Sequence, residues 1–330
     1  MSYHNYVTKI LPLIDRHTDR VDIIKEGNDI FRLVSGMECF FLKTYTKTWY
    51  GSDPAVTGFH AMHESIAWAI LAQHGLSVPD VVYISSDCDN PISRPFILTR
   101  ELEGRPLTNL VTEANREEQS ALLIAVGNYI RKMHEITFEF PGYLSTLSGP
   151  TEVPNPNDWQ HRCWSAKTRE AIACNQLQTD ATQLTPGTHA EAKRSYLQIS
   201  ARLADAYQPP RFTHGDCHAH QFFLVHNGTD WRVTGVLDME VSSAGDCGED
   251  LLKISIELAQ TLDYATCWWE SFFAGYGAES DFEAFQLRLL SVAPIEYGSS
   301  GKWIRIQSRE AMLQHILKAR DWSNLFTPIA

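Results

Sequence analysis

The stretch "FTHGDCHAHQFFL", residues 212–224, places Asp216 and Gln221 directly before an apolar, strand-like run. The chain continues through "HNGTD" into "WRVTGVLD", and an Asn-Gly pair between two β-prone runs is the strongest short-range signal of a β-hairpin. A hairpin that turns at residues 227–228 returns Asp238 to the end where Asp216 and Gln221 lie. Two carboxylates and one amide oxygen around one point suit a hard cation such as Mg²⁺. The spacing therefore predicts a magnesium site of the kind that phosphoryl transfer uses.

Phosphoryl transfer also needs a lysine that contacts the phosphates. Lys43 closes the strand-like run "CFFLKTY", and Glu64 is the only carboxylate between Asp53 and Asp80. Glu64 lies in a segment with helical spacing, and a helix carboxylate can hold a strand lysine in place. Lys43 and Glu64 are therefore predicted to pair.

The elements that must position these residues divide into two regions. In "VDIIKEGNDIFRLVSGMECFFLKTY" short strands alternate with turn signals, which predicts an antiparallel meander. "GFHAMHESIAWAILAQHG" has helical spacing and ends at Gly75, a typical helix C-terminus. From Glu117 onward helical stripes predominate. We expect an α+β protein of two lobes: residues 1–103 with an antiparallel sheet and one helix, and residues 104–330, mainly α.

Composition narrows the class of partner. A chain of 330 residues with 44% hydrophobic and 21% charged residues is typical of a globular protein. Its net charge of −12 would repel a phosphate backbone, so nucleic acid is not expected as a partner, whereas a cationic small molecule would be attracted. Seven scattered cysteines without a CxxC pair indicate reduced thiols. With no predicted transmembrane segment and no leader pattern, we expect a cytoplasmic protein.

Six segments, in this order and spacing, resemble one known superfamily. They are "FFLKTY", "HESIAWAILAQHGLSVPDV", "PFILTRELEGRPL", "YIRKMHEI", "THGDCHAHQ" and "GVLDMEVSSAGDCGEDL", between about residues 20 and 260. The chain resembles the aminoglycoside phosphotransferase and choline kinase superfamily, the small-molecule branch of the protein-kinase-like fold. The resemblance implies a two-lobed protein-kinase-like fold. It also implies transfer of the γ-phosphate of ATP or GTP to a hydroxyl of a small molecule, such as an aminoglycoside, an aminosugar or another sugar.

The same resemblance implies roles for individual residues. Asp216 would be the base that faces the substrate hydroxyl, and Gln221 and Asp238 would be the Mg²⁺ ligands. Lys43 would bind phosphate, with Glu64 as its partner. The superfamily usually carries Asn where this chain has Gln221, which keeps the amide oxygen on a stem that is one methylene longer.

Two further segments would hold the nucleotide. The resemblance implies that Ile97–Glu101, with Thr99, Arg100 and Glu101, is the hinge that contacts the base. The turn "KEGNDIF", with Gly27 and Asn28, would cover the phosphates.

Residues of the acceptor site are less well marked. Glu240 follows Asp238 closely, and we treat it as an outer metal-shell or substrate candidate. The aromatic run "CWWESFFAGY" is more typical of core packing than of an aromatic cage, but Trp268 and Glu270 could face a substrate amine. Asp250 suits a helix N-terminus, where acidic residues are favoured. The main acceptor-binding parts are expected in residues 141–210 and beyond residue 250.

Other interpretations of the opening stretch stay open. Cys217, His218 and His220 could suggest a transition-metal site, but the sequence offers no second ligand cluster, and His214 is better suited to orient the loop. "HGDCHAHQFFL" also resembles the lipopolysaccharide core sugar kinases, so a sugar-lipid acceptor at a membrane face is an alternative. A third is a pseudokinase-like module in which Gln221 weakens metal binding and nucleotide binds without turnover. The acceptor, the choice of ATP or GTP and the oligomeric state are not indicated.

Overall fold

The computed structural model describes residues 7–25, 30–45, 54–150, 185–191, 209–245, 247–277 and 309–326, with single positions between 193 and 289. The predicted turn residues Gly27 and Asn28, part of the expected acceptor region and Asp246 lie outside the described residues. Among the described residues, none of the helices is both long and apolar enough to cross a membrane.

The N-terminal region is an antiparallel sheet with one long helix, as predicted. Its strands have the order β1-β2-β3-β5-β4, and each neighbouring pair is antiparallel. The bounds are β1 Arg20–Lys25, β2 Ile30–Ser35, β3 Glu38–Thr44, helix α1 Pro54–Gln73, β4 Val81–Ser85 and β5 Phe96–Arg100. Gly75, with a φ of +75°, follows α1 and lets the chain reverse after the helix.

The two faces of this sheet bury different side chains. Phe40, Leu42 and Leu98 pack into one apolar core, which the 3-10 turn Leu11–Ile14 also joins. Ile97 points the other way, into the main core with α1. Alternation along β3 and β5 produces this separation, and it leaves Lys43 on the α1 side, because Lys43 pairs with Ile97.

The elements in the rest of the described chain include six α-helices and six short strands, and the strands form two three-stranded sheets. The bounds are β6 Arg105–Pro106, α2 Leu107–Glu113, α3 Arg116–His134, β7 Gly142–Tyr143, β8 Arg211–Thr213, β9 Phe222–His226, β10 Trp231–Val236, β11 Ser243–Gly245, α4 Gly248–Thr261, α5 Trp268–Tyr276, α6 Arg309–Lys318 and α7 Trp322–Phe326. Asn115 begins α3 with a complete capping box to Glu118, so both orphan backbone donors there are satisfied. The division between residues 103 and 104 stays a prediction.

Two small sheets flank the motif of residues 212–224. The hairpin predicted at residues 227–228 is confirmed: β9 and β10 pair antiparallel, with Phe222 opposite Val236. Beyond that pair, the N–H of Leu237 donates to the carbonyl of Gln221 at 3.0 Å. The second sheet has the order β7-β11-β8. The hairpin therefore brings Asp238 back beside Gln221.

Helices α3 and α5 cross in direct contact at two glycines. A Cβ added at Gly127 of α3 would overlap the carbonyl oxygen of Phe272 and lie 2.7 Å from the N atom of Tyr276, both on α5. A Cβ at Gly275 of α5 would in turn overlap the carbonyl oxygen of Ile124. The two helices therefore touch backbone to backbone, which only glycine permits here.

Gly127→Ala should destabilise the protein by about 1–3 kcal/mol, because the methyl group forces the two backbones apart. The expected loss opposes helix propensity, which alone would favour alanine by about 1 kcal/mol. Thermal melting of Gly127→Ala beside Gly187→Ala checks this, since a Cβ at Gly187, also in a helix, meets nothing within 4 Å. Equal melting temperatures for the two variants would contradict the crossing.

Candidate active site

Lys43 lies at the centre of a cluster of three carboxylates. Its Nζ is 2.9 Å from Oε2 of Glu64, 2.5 Å from Oδ1 of Asp238 and 3.0 Å from Oε2 of Glu240. The structure thus brings together the strand lysine, the helix carboxylate and two acidic residues that follow the hairpin. Three carboxylates beside one ammonium leave a local charge of −2 when all four groups are ionised.

Glu64 connects the N-terminal sheet, α1 and the turn after the hairpin. It is fully buried. Its Oε2 accepts a hydrogen bond from the Tyr45 hydroxyl at 2.5 Å, and its Oε1 accepts the backbone N–H of Met239 at 3.1 Å. A buried carboxylate must be fully hydrogen-bonded, so Glu64 holds both Lys43 and the 238–239 backbone in position.

Asp238 occupies a left-handed backbone conformation, with φ 65° and ψ 45°. Asp and Asn tolerate this region better than most other residues because their short side chains can bond locally. The residue precedes the 3-10 turn Met239–Val241, and the unusual backbone turns its carboxylate toward Lys43.

The donor set of this cluster fits a divalent, oxygen-ligated cation. Burial raises the pKa of Glu240, and although Lys43 opposes this, the neighbouring Asp238 adds to the rise. The rise comes first from burial, and the negative charges of Asp238 and Glu64 add to it. Mg²⁺ accepts carboxylate and amide oxygens, and it would neutralise the excess charge.

Gln221 is buried, and its side-chain oxygen is hydrogen-bonded within the loop. The side chain is only 3% exposed, and its Oε1 accepts the backbone N–H of His218 at 2.7 Å. An amide oxygen has two lone pairs, so this bond leaves one for a metal. The predicted ligand role of Gln221 therefore depends on an oxygen that already accepts a backbone hydrogen bond within the loop of residues 214–221.

One carboxylate oxygen of Asp216 has side-chain partners, and the other has none among the described residues. Its Oδ1 accepts the Lys253 ammonium at 2.8 Å, and it lies 3.4 Å from Nε2 of His218. No other side chain in the described ranges hydrogen-bonds to it, and the side chain is 41% exposed. Burial would raise the pKa of Asp216, but the hydrogen bond from His218 and the charge of Lys253 outweigh it and hold that pKa well below its usual range.

One face of α4 lies against the loop that carries Asp216. Asp250, Lys253 and Glu257 are spaced three and four residues apart, and such residues share a helix face. Oδ2 and Oδ1 of Asp250 accept the backbone N–H groups of His214 at 2.6 Å and Gly215 at 2.8 Å. Lys253 also donates to the Gly215 carbonyl at 2.9 Å. We call this row the α4 polar stripe.

The C-terminal part of the stripe contacts two histidines. Glu257 accepts the backbone N–H of Ala219, its Oε1 lies 2.8 Å from Nδ1 of His220, and its Oε2 lies 3.4 Å from Nδ1 of His218. Sequence reasoning missed Lys253 and Glu257. Their spacing from Asp250 could have indicated them, but a polar helix row more often faces solvent.

A buried histidine completes the environment of Asp250. Nε2 of His134, at the end of α3, lies 3.1 Å from Oδ2 of Asp250, and Nδ1 lies 2.9 Å from the Tyr276 hydroxyl. Burial would lower the pKa of His134, but the Cys247 sulfur and the Asp250 carboxylate raise it to about 9. His214 is also bonded, with Nε2 at 2.9 Å from the Leu237 carbonyl, so it orients the loop as the sequence suggested.

A comparison with protein-family models decides the family. The model described as "Phosphotransferase enzyme family" matches residues 25–290, well over half of the chain. The chain belongs to the phosphotransferase enzyme family.

Solved aminoglycoside phosphotransferases share the fold of this family member. A thermostable mutant of APH(4)-Ia, in ternary complex with ADP and hygromycin B, aligns with a TM-score of 0.58 at 16% identity over 94% of this chain and 96% of that one. ADP-bound APH(2'')-Ib aligns with a TM-score of 0.53 at 14% identity, over 99% and 100% of the two chains. The GDP and kanamycin complex of APH(2'')-IIIa aligns with a TM-score of 0.54 at 12% identity, over 96% and 98%. A search of curated protein sequences finds no match.

In this phosphotransferase family member, the side chains of the predicted hinge residues Thr99 and Arg100 lie on opposite faces of the sheet. Thr99 pairs with Phe41, so it shares the α1 side of the sheet with Lys43, and it is 7% exposed. Arg100 instead pairs with Glu38 and, at 3.0 Å, with Asp80.

Glu101 is likewise engaged at the surface. Its two oxygens accept Nε and Nη2 of Arg32 at 2.8 and 3.0 Å, and its N–H donates to the Cys39 carbonyl at 2.9 Å. The predicted nucleotide role of residues 99–101 stays a prediction. The geometry favours Thr99, and it places the side chains of Arg100 and Glu101 in surface ion pairs.

The structure does not bring Trp268 and Glu270 to the cluster. Trp268 is 2% exposed, with its ring centroid 4.7 Å from that of Phe326, so it is a core residue. Glu270 lines a small cavity of about 190 Å³ with Arg116, at the start of α3. The 19 residues of α3 separate that end from His134 by about 27 Å, and a substrate role for either residue beside Asp216 is not supported.

The His134–Asp250 pair predicts a pH-dependent stability. The folded-state pKa of His134, about 9, lies above its ordinary 6.5. Its contribution is therefore complete below pH 6.5 and is lost as the pH rises through about 9. The stability difference between wild type and His134→Gln should be largest at mildly acidic pH and shrink in alkaline buffer, as measured by urea unfolding. His17→Gln, at an exposed site, is the control, and a difference independent of pH would contradict the assignment.

Proposed function

We propose that this protein transfers the γ-phosphate of ATP or GTP to a hydroxyl of a small molecule, with an aminoglycoside, an aminosugar or another sugar as acceptor. The proposal rests on the contacts and the exposure of the Asp216 carboxylate. Lys253 and His218 both contact Oδ1, while the carboxylate stays partly exposed on the loop beside the Lys43 cluster. Oδ2 is thus available to accept a hydrogen bond from an acceptor hydroxyl.

Asp216 would orient the hydroxyl before it takes the proton. Its pKa is held low by His218 and Lys253 against the effect of burial, so it is ionised at any working pH and is a weak base. A loose transition state leaves most of the proton transfer until late in the reaction. A weak, well-positioned carboxylate suits that order of events.

The Lys43 cluster would bind the donor phosphates. Glu64 holds Lys43 from the buried side, and the Lys43 ammonium can exchange its contact with Asp238 for one with phosphate oxygens. Asp238, the second lone pair of Gln221 and, in an outer position, Glu240 would hold Mg²⁺. When bound, Mg²⁺ supplies neutralisation of charge on the phosphates.

Charge supports a cationic acceptor. The chain has 40 acidic against 28 basic residues, and an acidic surface raises the local concentration of cationic ligands. Two of the solved structures with this fold contain an aminoglycoside together with a nucleoside diphosphate, ADP in one and GDP in the other. The proposal therefore includes both of the corresponding triphosphates, ATP and GTP, as phosphate donors.

The pseudokinase-like alternative has one observation in its favour. Oε1 of Gln221 already accepts the His218 N–H at 2.7 Å, which reduces its capacity as a metal ligand. In that case wild type would bind nucleotide without turnover. Gln221→Asn, which shortens the stem by one methylene, would then restore the rate.

The proposed function is tested by nucleoside diphosphate release from ATP and GTP in the presence of Mg²⁺ and single acceptors. The panel contains aminoglycosides, aminosugars, neutral sugars, choline and homoserine, with product mass measured in each reaction. The proposal expects release that depends on an acceptor and a product heavier by one phosphoryl group. Nucleotide binding by calorimetry without phosphorylated product from any acceptor would favour the pseudokinase-like alternative.

Asp238→Asn should weaken Mg²⁺-dependent nucleotide binding by roughly tenfold or more, since it removes a charged ligand but keeps the shape of the side chain. Asn also tolerates the left-handed backbone, so the fold should be retained, with a lower melting temperature because the ion pair between Asp238 and Lys43 is lost. Calorimetric titration with and without Mg²⁺ measures the nucleotide affinity, and a thermal scan measures the melting temperature. Asp80→Asn, at a surface ion pair with Arg100, is the matched control, and wild-type affinity in Asp238→Asn would remove Asp238 from the metal site.

A further inference from the structure

A cluster of two histidines and one glutamate lies beside Asp216, outside the proposed magnesium site. His218 and His220 lie in the loop of residues 214–221, which also carries Asp216, and Glu257 belongs to the α4 polar stripe. One potential ligand atom of each residue lies within 4.8 Å of the other two. No second ligand cluster is visible in the sequence, and the fold supplies a further ligand, Glu257, from 37 positions beyond His220.

The geometry of the three side chains is already convergent. Nδ1 of His220 is 2.8 Å from Oε1 of Glu257, and Nδ1 of His218 is 3.4 Å from Oε2. The two imidazole rings are stacked, with centroids 5.4 Å apart and planes inclined by 25°, so both rings turn the same nitrogen toward one carboxylate. Ligands around a tetrahedral Zn²⁺ at about 2.1 Å lie roughly 3.4 Å from one another, and only small side-chain rotations separate this cluster from that arrangement.

We propose that His218, His220 and Glu257 form a binding site for a divalent transition metal, with Zn²⁺ as the best-matched ion. Two imidazoles and one carboxylate are a ligand set that zinc accepts, with a fourth position open to water. Mg²⁺ is a poor match, because it prefers an octahedral oxygen environment. The site is therefore chemically distinct from the Asp238 cluster and would select a different metal.

The second nitrogen of His218 links this site to the proposed reaction. Nε2 of His218 lies 3.4 Å from Oδ1 of Asp216, while Nδ1 faces Glu257. A metal-bound histidine characteristically donates its other N–H to a carboxylate, which fixes the ring and its tautomer. With Zn²⁺ on Nδ1, the ring of His218 is locked with its Nε2–H toward Asp216, and the dication adds positive charge near the group that must accept the substrate proton in the proposed function. Metal binding should therefore lower turnover, a consequence that rests on the proposed function.

Binding is tested on the full chain without nucleotide, so its outcome is independent of phosphotransfer. Zn²⁺ is titrated against a chromogenic chelator in the presence of excess Mg²⁺, which occupies oxygen-ligated sites, and Co²⁺ is used as a spectroscopic probe of four-coordination. Wild type should bind one Zn²⁺ per chain and give the intense visible absorption of four-coordinate Co²⁺. His220→Ala and Glu257→Gln should each weaken binding by roughly tenfold or more.

The variants are chosen to keep the fold. His220 is largely exposed, and Gln at position 257 retains an oxygen that can accept the Ala219 N–H. His17→Ala is the matched control, since His17 is an exposed histidine beside an aspartate, at 3.7 Å from Asp19. Absence of Zn²⁺ binding in wild type, or equal binding by wild type and His220→Ala, would overturn the site.

The link to Asp216 is tested separately by turnover at saturating Mg²⁺-nucleotide with increasing Zn²⁺. Inhibition that follows the measured Zn²⁺ occupancy and is lost in His220→Ala supports the link. Equal inhibition in wild type and His220→Ala would overturn it and assign the effect to the Asp238 cluster. If no acceptor is phosphorylated, the proposed function fails, while the binding result on the metal site still stands.

Discussion

The buried carboxylate of Asp250 is the interaction on which the candidate site depends. It accepts two backbone N–H groups of the loop that carries Asp216, at His214 and Gly215, and it is paired with His134 in the same low-dielectric environment. Removing one member of such a buried set leaves an uncompensated charge and typically costs 3–5 kcal/mol, about half of a domain's stability. The loop cannot move away from α4 without breaking both backbone hydrogen bonds to Asp250. Asp250 thereby fixes where Asp216, two residues beyond His214, is presented.

Two other constraints bring the donor side of the site to the same place. Glu64 binds both Lys43 and the N–H of Met239. It therefore fixes the position of the N-terminal sheet relative to the turn that follows the hairpin. The left-handed conformation of Asp238 turns its carboxylate into the same cluster. Lys253, in the α4 polar stripe, holds the loop on the other side of the site, because it bonds both Asp216 and the Gly215 carbonyl. The polar groups of the cleft are therefore positioned by buried or half-buried bonds, while the acceptor hydroxyl would meet the one oxygen that no described side chain occupies.

The sequence predicted those features that follow from local signals. The Asn-Gly turn between two β-prone runs was enough to place Gln221 near Asp238, and the order of strand and helix was enough to pair Lys43 with Glu64. It could not predict the ion pairs of Arg100 and Glu101, since their partners Glu38, Asp80 and Arg32 are chosen by strand register. The role of Trp268 is ambiguous in the sequence, because the same aromatic run can form part of a hydrophobic core or of an aromatic cage. Its burial against Phe326 identifies it as a core residue. Glu257 was missed because its approach to His218 and His220 depends on the path of α4 over the loop.

The central claim, that Asp216 is the group that faces the acceptor hydroxyl, is tested most directly by single-turnover phosphoryl transfer in wild type and Asp216→Asn, with ligand affinities and melting temperature measured on the same samples. The account predicts that transfer falls by about a hundred- to ten-thousandfold, while affinity for nucleotide and acceptor and the melting temperature are retained. Near-normal transfer per folded molecule, or a rate loss that only follows a loss of folded protein, would contradict it and reduce Asp216 to a residue that ties down the loop.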